Sequence, residues 1–144
     1  MADVFGNGLV VWNNEFGFKR LNSNQYYSPD NRNNHFEVGG KSFNIAAGTL
    51  GMALSPKFSV DDRRKLLAFR PLSSRSMYFV ESNNVIYSNS ESEIQYYGGV
   101  DILPSQASAM AFSSDGILFF GLVSEMGIGC WNMRTPLDRN YIVR

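Results

Sequence analysis

MALS at Met52–Ser55 and MAFS at Met110–Ser113 are copies of one short pattern, 58 positions apart. A second pair follows in the same order, because Leu66–Phe69 is matched by Ile117–Phe120 at a separation of 51 positions. Each copy is a short apolar run followed by a polar, turn-forming segment, which is typical of β-strands joined by hairpins. A period of about 50 to 60 residues with three or four short strands is typical of β-propeller blades. The sequence therefore predicts successive, similar antiparallel sheets.

The first third of the chain also predicts strands. Gly8–Trp12 and Phe16–Leu21 are apolar runs separated by turn-forming residues, so they can pair as antiparallel strands. The Gly39–Gly40 pair divides His35–Ile45 into two short runs, and paired glycines favour the primed turn of a two-residue hairpin. Asn22–Asn34 is rich in Asn, Ser, Asp and Pro, which predicts a loop.

These patterns predict an all-β chain with blade units at about residues 1–47, 48–105 and 106–144. A propeller ring closes with about four to eight blades, so two to three blades form only part of a ring. We therefore expect an internal fragment of a longer protein; the alternative is a β-sandwich that imitates the repeat. Open strand edges and uncovered apolar faces also predict that these residues fold poorly by themselves.

Charge and hydropathy argue against two classes of partner. The 13 basic and 13 acidic residues balance, so we expect no nucleic-acid partner. No apolar run approaches the roughly 20 residues that span a bilayer, so we expect no membrane span. The mixed charges of Asp61–Lys65 predict a solvated loop. The first residues lack the basic flank and apolar core of a signal peptide, which fits a cytosolic chain or a missing N-terminus.

Residues suited to catalysis or metal binding are scarce. His35 is the only histidine and Cys130 the only cysteine, so a zinc site would need an unusual set of carboxylates. The motifs of serine hydrolases, phosphate-binding loops and dinucleotide-binding folds are missing. We therefore predict no catalytic residues, no metal site and no cofactor.

Several motifs resemble those of one known family, and they follow its order along nearly the whole chain. They are Gly51–Pro56 (GMALSP), Phe69–Ser74 (FRPLSS), Met77–Val80 (MYFV), Ser105–Gln106 (SQ), Leu118–Leu122 (LFFGL) and Cys130–Asn132 (CWN). On these residues the chain resembles the yellow/major royal jelly protein family.

The resemblance implies a six-bladed β-propeller, secreted from arthropod cells, of which about two to three blades are present. It implies three alternative roles. The first is a non-catalytic protein that binds small aromatic amines or catecholamine derivatives in cuticle pigmentation and melanisation. The second is an isomerase that converts dopachrome in melanin synthesis, and the third is a secreted nutritive or storage protein. We favour the first, because no catalytic set is visible, although whether any catalysis occurs stays open.

The resemblance also implies a partner for Cys130. Family members carry a further cysteine downstream of the CWN motif, which here would lie beyond Arg144. We therefore expect Cys130 to form a disulfide whose other half lies outside this chain. In a cytosolic protein the same residue would instead be a small buried side chain.

A small-molecule site in a propeller is expected at the central channel, where the inner strands and their loops converge. An aromatic amine needs a flat apolar wall and hydrogen-bond acceptors for its ammonium group. The candidate ligand-binding residues are Ser105, Gln106, Ser108, Phe119 and Phe120. The two phenylalanines can equally pack between blades, and the two polar residues after Pro104 can equally cap a turn.

Overall fold

The structure is a computed structural model that describes residues 1–59, 62 and 64–144. In this part of the chain, 13 strands form four antiparallel sheets. The strands are β1 Ala2–Asp3, β2 Gly8–Asn13, β3 Gly17–Leu21, β4 His35–Val38, β5 Lys41–Asn44, β6 Thr49–Leu54, β7 Leu66–Pro71, β8 Met77–Glu81, β9 Tyr96–Gly99, β10 Ala107–Phe112, β11 Ile117–Leu122, β12 Gly127–Asn132 and β13 Ile142–Val143. The helices are α1 Asn24–Tyr27 and α2 Ser82–Tyr87, with 3-10 turns at Asn31–Asn33, Glu91–Glu93 and Arg139–Tyr141.

The repeat is present as two four-stranded sheets. β6–β9 form the second sheet and β10–β13 the third sheet, each with its strands side by side in chain order. The matched runs of the sequence lie on the first strands, β6 and β10, and on the second strands, β7 and β11. Met52 pairs with Phe69 in one sheet, and Met110 pairs with Phe120 in the other. The two copies of the sequence pattern therefore take the same place in two sheets.

The first sheet contains β1, β2 and β3, and the predicted pairing of Gly8–Trp12 with Phe16–Leu21 is confirmed by the register of β2 and β3. The predicted hairpin is also present, as the separate two-stranded sheet β4–β5. Its turn glycines, Gly39 and Gly40, have φ angles of 57° and 75°. Glycine adopts these positive values without the steric cost that a Cβ atom imposes.

The interpretation of Asn22–Asn34 as a loop throughout is wrong. It contains α1 and the 3-10 turn Asn31–Asn33, where the Asp30 carboxylate accepts a hydrogen bond from the Arg32 backbone N–H. The helix α2 between β8 and β9 is a further element that the sequence did not indicate. These are turns of three to six residues, which are too short to show an apolar period of 3.6 residues.

Two apolar clusters join the three larger sheets. Side chains of β7 alternate between the two faces of the second sheet: Phe69 packs with Leu9 of the first sheet, whereas Ala68 packs with Leu118 and Trp131 of the third. The second sheet is therefore buried on both faces.

The first strands of the three sheets adjoin, since β1 contacts β6 and β6 contacts β10. Three sheets in succession, with neighbouring first strands, are part of a β-propeller and not a two-layer sandwich. The all-β, partial-propeller prediction is confirmed, whereas the unit boundaries after residues 47 and 105 stay a prediction. Asp61 and Arg63 of the mixed charge cluster lie outside the described residues. Among the described helices, none has the length and apolar character to cross a bilayer.

Candidate functional site: a tyrosine-lined cleft

Ser105 and Gln106, two of the candidate binding residues, are both buried. The Gln106 side-chain amide donates hydrogen bonds to the backbone carbonyls of Asn33 and His35, at 3.0 and 2.7 Å. The Ser105 hydroxyl donates to the Gln106 carbonyl at 2.9 Å. These bonds attach the segment before β4 to the start of β10, so both polar groups are engaged within the protein.

The other three candidates point in different directions. Phe120 is buried in the cluster between the second and third sheets, which agrees with its alternative interpretation as a packing residue. Phe119 is its neighbour on β11 and lies on the opposite face, where it is 44% exposed. Ser108 is half-buried on β10, beside Gly121. The structure does not bring the five candidates around one space, and a channel site built from them stays a prediction.

Cys130 is a half-buried free cysteine on β12. It belongs to a row that crosses the open face of the third sheet, in which Ala111 pairs with Phe119, Phe119 with Cys130, and Cys130 with Val143. Its disulfide partner outside the chain stays a prediction. The imidazole of His35 is exposed and contacts the Asn44 side chain at 3.0 Å. Among the described residues, no group of three His, Cys, Asp or Glu side chains is placed to hold a metal ion.

A cleft of about 480 Å³ lies at the outer strands of the second sheet, away from its first strand. Four tyrosines line it: Tyr78 of β8, Tyr96 and Tyr97 of β9, and Tyr26 of α1. The antiparallel register of β8 and β9 fixes the positions of the three strand tyrosines, since Tyr78 pairs with Gly98 and Tyr96 with Val80. The short helix α1 then places Tyr26 over the sheet.

Aromatic contacts fix the walls of the cleft. The Tyr26 ring stacks on Tyr96 at a centroid distance of 4.2 Å and meets Tyr78 edge to face at 5.3 Å. Both geometries are favourable arrangements of aromatic quadrupoles. Gly98 is necessary here, because a Cβ atom at this position would lie 2.6 Å from the Tyr78 ring. The cleft is therefore a preformed aromatic surface.

One end of the cleft carries charged groups of both signs. The Arg32 guanidinium meets the Asp30 carboxylate with two N–O distances of 3.0 and 2.7 Å, and it reaches Asp101 at 3.2 Å. The hydrogen bond from the Arg32 side chain is the main cause that holds the pKa of Asp30 below its usual value. The Arg139 guanidinium donates to the Asp101 backbone carbonyl at 2.7 Å, so two carboxylates and two guanidiniums share this end, and its carboxylate oxygens are acceptors for a cation.

The Tyr78 and Tyr96 phenols of the cleft are neutral hydrogen-bonding groups. Burial raises the pKa of Tyr78, and it raises the pKa of Tyr96 to about 12. The Tyr96 hydroxyl lies 2.6 Å from that of Tyr27, whose pKa burial also raises. At neutral pH these groups can donate and accept hydrogen bonds, but they are not bases.

Aromatic walls beside carboxylate acceptors suit a small aromatic cation. The sequence interpretation missed this site, although the chain contains a signal: it has seven tyrosines, and four of them line the cleft. Three of the four belong to the doublets Tyr26–Tyr27 and Tyr96–Tyr97, and the fourth is Tyr78. The hydrogen bond between the Tyr27 and Tyr96 hydroxyls joins the two doublets.

Comparison with known proteins identifies relatives of the whole chain. The family model described as Major royal jelly protein matches residues 1–144. Major royal jelly protein 7 of Apis mellifera is 41% identical over 142 residues, which cover 96% of this chain and 30% of that protein. Major royal jelly protein 9 of Apis mellifera is 39% identical over 145 residues, covering 99% of this chain and 32% of that protein.

Major royal jelly protein 6 of Apis mellifera is similar at 39% identity over 141 residues, which cover 96% of this chain and 31% of that protein. The chain thus spans about a third of the length of these relatives. The match of the family model over every residue agrees with the motifs, the repeated sheets and the identities. The chain belongs to the major royal jelly protein family.

Proposed function

We propose that the chain is part of a secreted, non-catalytic protein that binds a small aromatic amine or catecholamine derivative, and that the tyrosine-lined cleft takes the amine. The observation that carries the proposal is the stacked tyrosine surface next to the carboxylates of Asp30 and Asp101. Secretion and a role in cuticle pigmentation rest on the family resemblance.

The chemistry of the ligand matches the two halves of the cleft. A catechol or indole ring can lie against the tyrosine faces, where aromatic pairs contribute about 0.5–1.5 kcal/mol beyond the area that they bury. An ammonium group near a tyrosine face gains about 0.5–2 kcal/mol. The carboxylates of Asp30 and Asp101 then orient the ligand, because the ammonium group is the only positive charge of the ligand.

Conversion of dopachrome is the alternative, and it needs a base at the substrate. Asp30 is a weak base, because its carboxylate accepts hydrogen bonds from Arg32 and Asn33 and its pKa is lowered. The phenols of Tyr78 and Tyr96 hold their protons at neutral pH, because burial raises their pKa values. These properties favour binding over turnover, and no observation favours a nutritive role.

Calorimetric titration of the purified protein with dopamine tests the proposal. We expect one site, with catechol, which lacks the amine, binding at least about tenfold more weakly. Tyr26→Ala should weaken dopamine binding about tenfold by removing a stacked ring. Tyr141→Ala is the matched control, because Tyr141 is exposed and lies outside the cleft.

Equal affinity for dopamine and catechol would contradict an amine site. Loss of binding in both tyrosine variants would place the ligand elsewhere. In a parallel assay, consumption of dopachrome by the wild-type protein would favour the isomerase.

A further inference from the structure

Arg70 is the most unusual buried residue of the second sheet. It is the largest of the fully buried side chains, with 0% of its surface exposed, and it is the charged residue among the buried polar side chains described. Arginine is almost never fully buried unless a partner neutralises it. Burial lowers the pKa of Arg70 to about 9, so the guanidinium still carries its proton at neutral pH.

The contacts of Arg70 with the described residues do not neutralise the charge of its guanidinium. The Nη2 atom donates to the backbone carbonyl of Pro71 at 3.0 Å. The Nε and Nη1 atoms are buried and have no acceptor among the described residues. The ion pairs of the described residues join other arginines to carboxylates, and none of them includes Arg70. A buried charge needs a counter-charge as well as hydrogen-bond acceptors.

The position of Arg70 places the unpaired charge between two sheets. Because side chains alternate along β7, Arg70 points to the same face as Ala68, toward the third sheet. Its partner across the sheet is Gly51. A Cβ atom built on Gly51 would lie 3.4 Å from Cγ of Arg70 and 2.8 Å from the Ser108 carbonyl of β10. The two sheets are therefore in close contact beside the Arg70 side chain, which favours a small partner for its guanidinium.

We propose that the Arg70 guanidinium binds a small monovalent anion, of the chloride class, at the interface between the second and third sheets. The anion accepts a hydrogen bond from Nε or Nη1 and neutralises the guanidinium. Its role is to stabilise the contact between the two sheets.

Thermal unfolding of the purified protein in sodium chloride and in sodium gluconate, at equal ionic strength and pH, tests the proposal. We expect chloride to raise the unfolding temperature by about 2–4 °C and to saturate, as specific binding to the folded state does. Arg70→Met should remove the difference between the two salts. Arg75→Met is the matched control and should keep it, because Arg75 already donates to the Leu103 carbonyl in the connection between β9 and β10.

A crystal of the wild-type protein grown in bromide gives a result that does not depend on folding of the variant. An anomalous bromide peak within hydrogen-bond distance of Nε or Nη1 is expected. Ordered water alone at these atoms, or a carboxylate from another part of the protein, would overturn the proposal. The same stabilisation in gluconate as in chloride would overturn it as well.

Discussion

Ala68 of the second sheet and Phe119 of the third sheet occupy the same position of the repeat, but Ala68 is 0% exposed and Phe119 is 44% exposed. Both side chains point away from the preceding sheet. The difference arises from the neighbouring sheet, because the third sheet covers Ala68, whereas no described sheet covers Phe119. The repeat therefore fixes the direction of each side chain, and the neighbouring sheet decides its burial.

The next two positions of the repeat show where the second and third sheets agree and where they differ. Phe69 and Phe120 are equivalent and both are buried against the preceding sheet, so this contact is repeated. One residue later, the second sheet has Arg70 where the third sheet has Gly121. Both sheets therefore pack in the same way against the preceding sheet. The second sheet differs on its other face, which carries Arg70, and at its outer edge, which carries the tyrosine-lined cleft.

The largest expected effect tests the equivalence of the two phenylalanines. Phe69→Ala and Phe120→Ala should each lower the free energy of unfolding by about 3–5 kcal/mol, because each leaves a cavity between two sheets. Urea unfolding of the purified protein measures both changes, and Tyr97→Ala, at an exposed position of the second sheet, is the control. A loss above about 3 kcal/mol in only one of the two would break the equivalence.

The second prediction concerns the open face of the third sheet. Phe119 and Ile128 are exposed on this face, and an uncovered apolar sheet face promotes association. We expect the chain of residues 1–144 to self-associate, and Phe119→Lys to shift it toward the monomer in light scattering. Phe43→Lys, at an exposed position of the β4–β5 hairpin, should have little effect. A monomeric wild-type chain would show that the face needs no cover.

The third prediction compares one glycine in each sheet. Gly98→Ala should weaken dopamine binding several-fold, because its Cβ atom would displace the Tyr78 ring of the cleft. Gly127→Ala in the third sheet is the matched control, since its Cβ atom would meet only the Glu125 carbonyl at an ordinary 3.7 Å. Titration calorimetry of both variants measures the change. Equal losses would mean that the aromatic geometry of the cleft does not determine affinity.

The smallest expected effect is the pH dependence of the cleft. Because the pKa of Asp30 is lowered in the folded protein, its ion pair with Arg32 is fully formed above the ordinary aspartate pKa of about 3.9. The pair is lost only as the pH falls through the lowered value. Dopamine affinity should therefore change less than about twofold between pH 7 and pH 5, and fall below pH 4.

Asp30→Asn is the control for this titration, and it should bind more weakly and lose less affinity in acid than the wild-type protein. A fall in wild-type affinity already near pH 6 would assign the titration to another group. Circular dichroism at each pH separates loss of binding from unfolding.

The sequence predicts the strands well because their signal is local. Apolar runs such as Leu66–Phe69 and turn residues such as Gly39 and Gly40 specify pairing within a few residues. The prediction for Asn22–Asn34 is wrong because its helical turns are only three and four residues long, which is too short for a periodic apolar pattern. The cleft could not be predicted in this way, because Tyr26 and Tyr96 come from segments 70 positions apart.

The five candidate binding residues show the same limit. Gln106 is polar and closely follows a proline, which is compatible with a ligand site, but its acceptors are backbone carbonyls more than 70 positions before it in the chain. Phe119 and Phe120 are identical as residue types and differ only in the face that they occupy. Alternation along a strand predicts that they differ, but not which one a neighbouring sheet covers.

The hydrogen bond between Tyr27 and Tyr96 has a consequence for the order of folding. It joins residues 69 positions apart, and the hairpins of the second sheet can close much sooner than this contact, because short loops cost less entropy to close. We therefore expect strands β8 and β9 to pair before Tyr96 meets Tyr27. Nascent chains of this protein would thus form the second sheet before they form the tyrosine-lined cleft. The tyrosine-lined cleft would be the last part of this region to form.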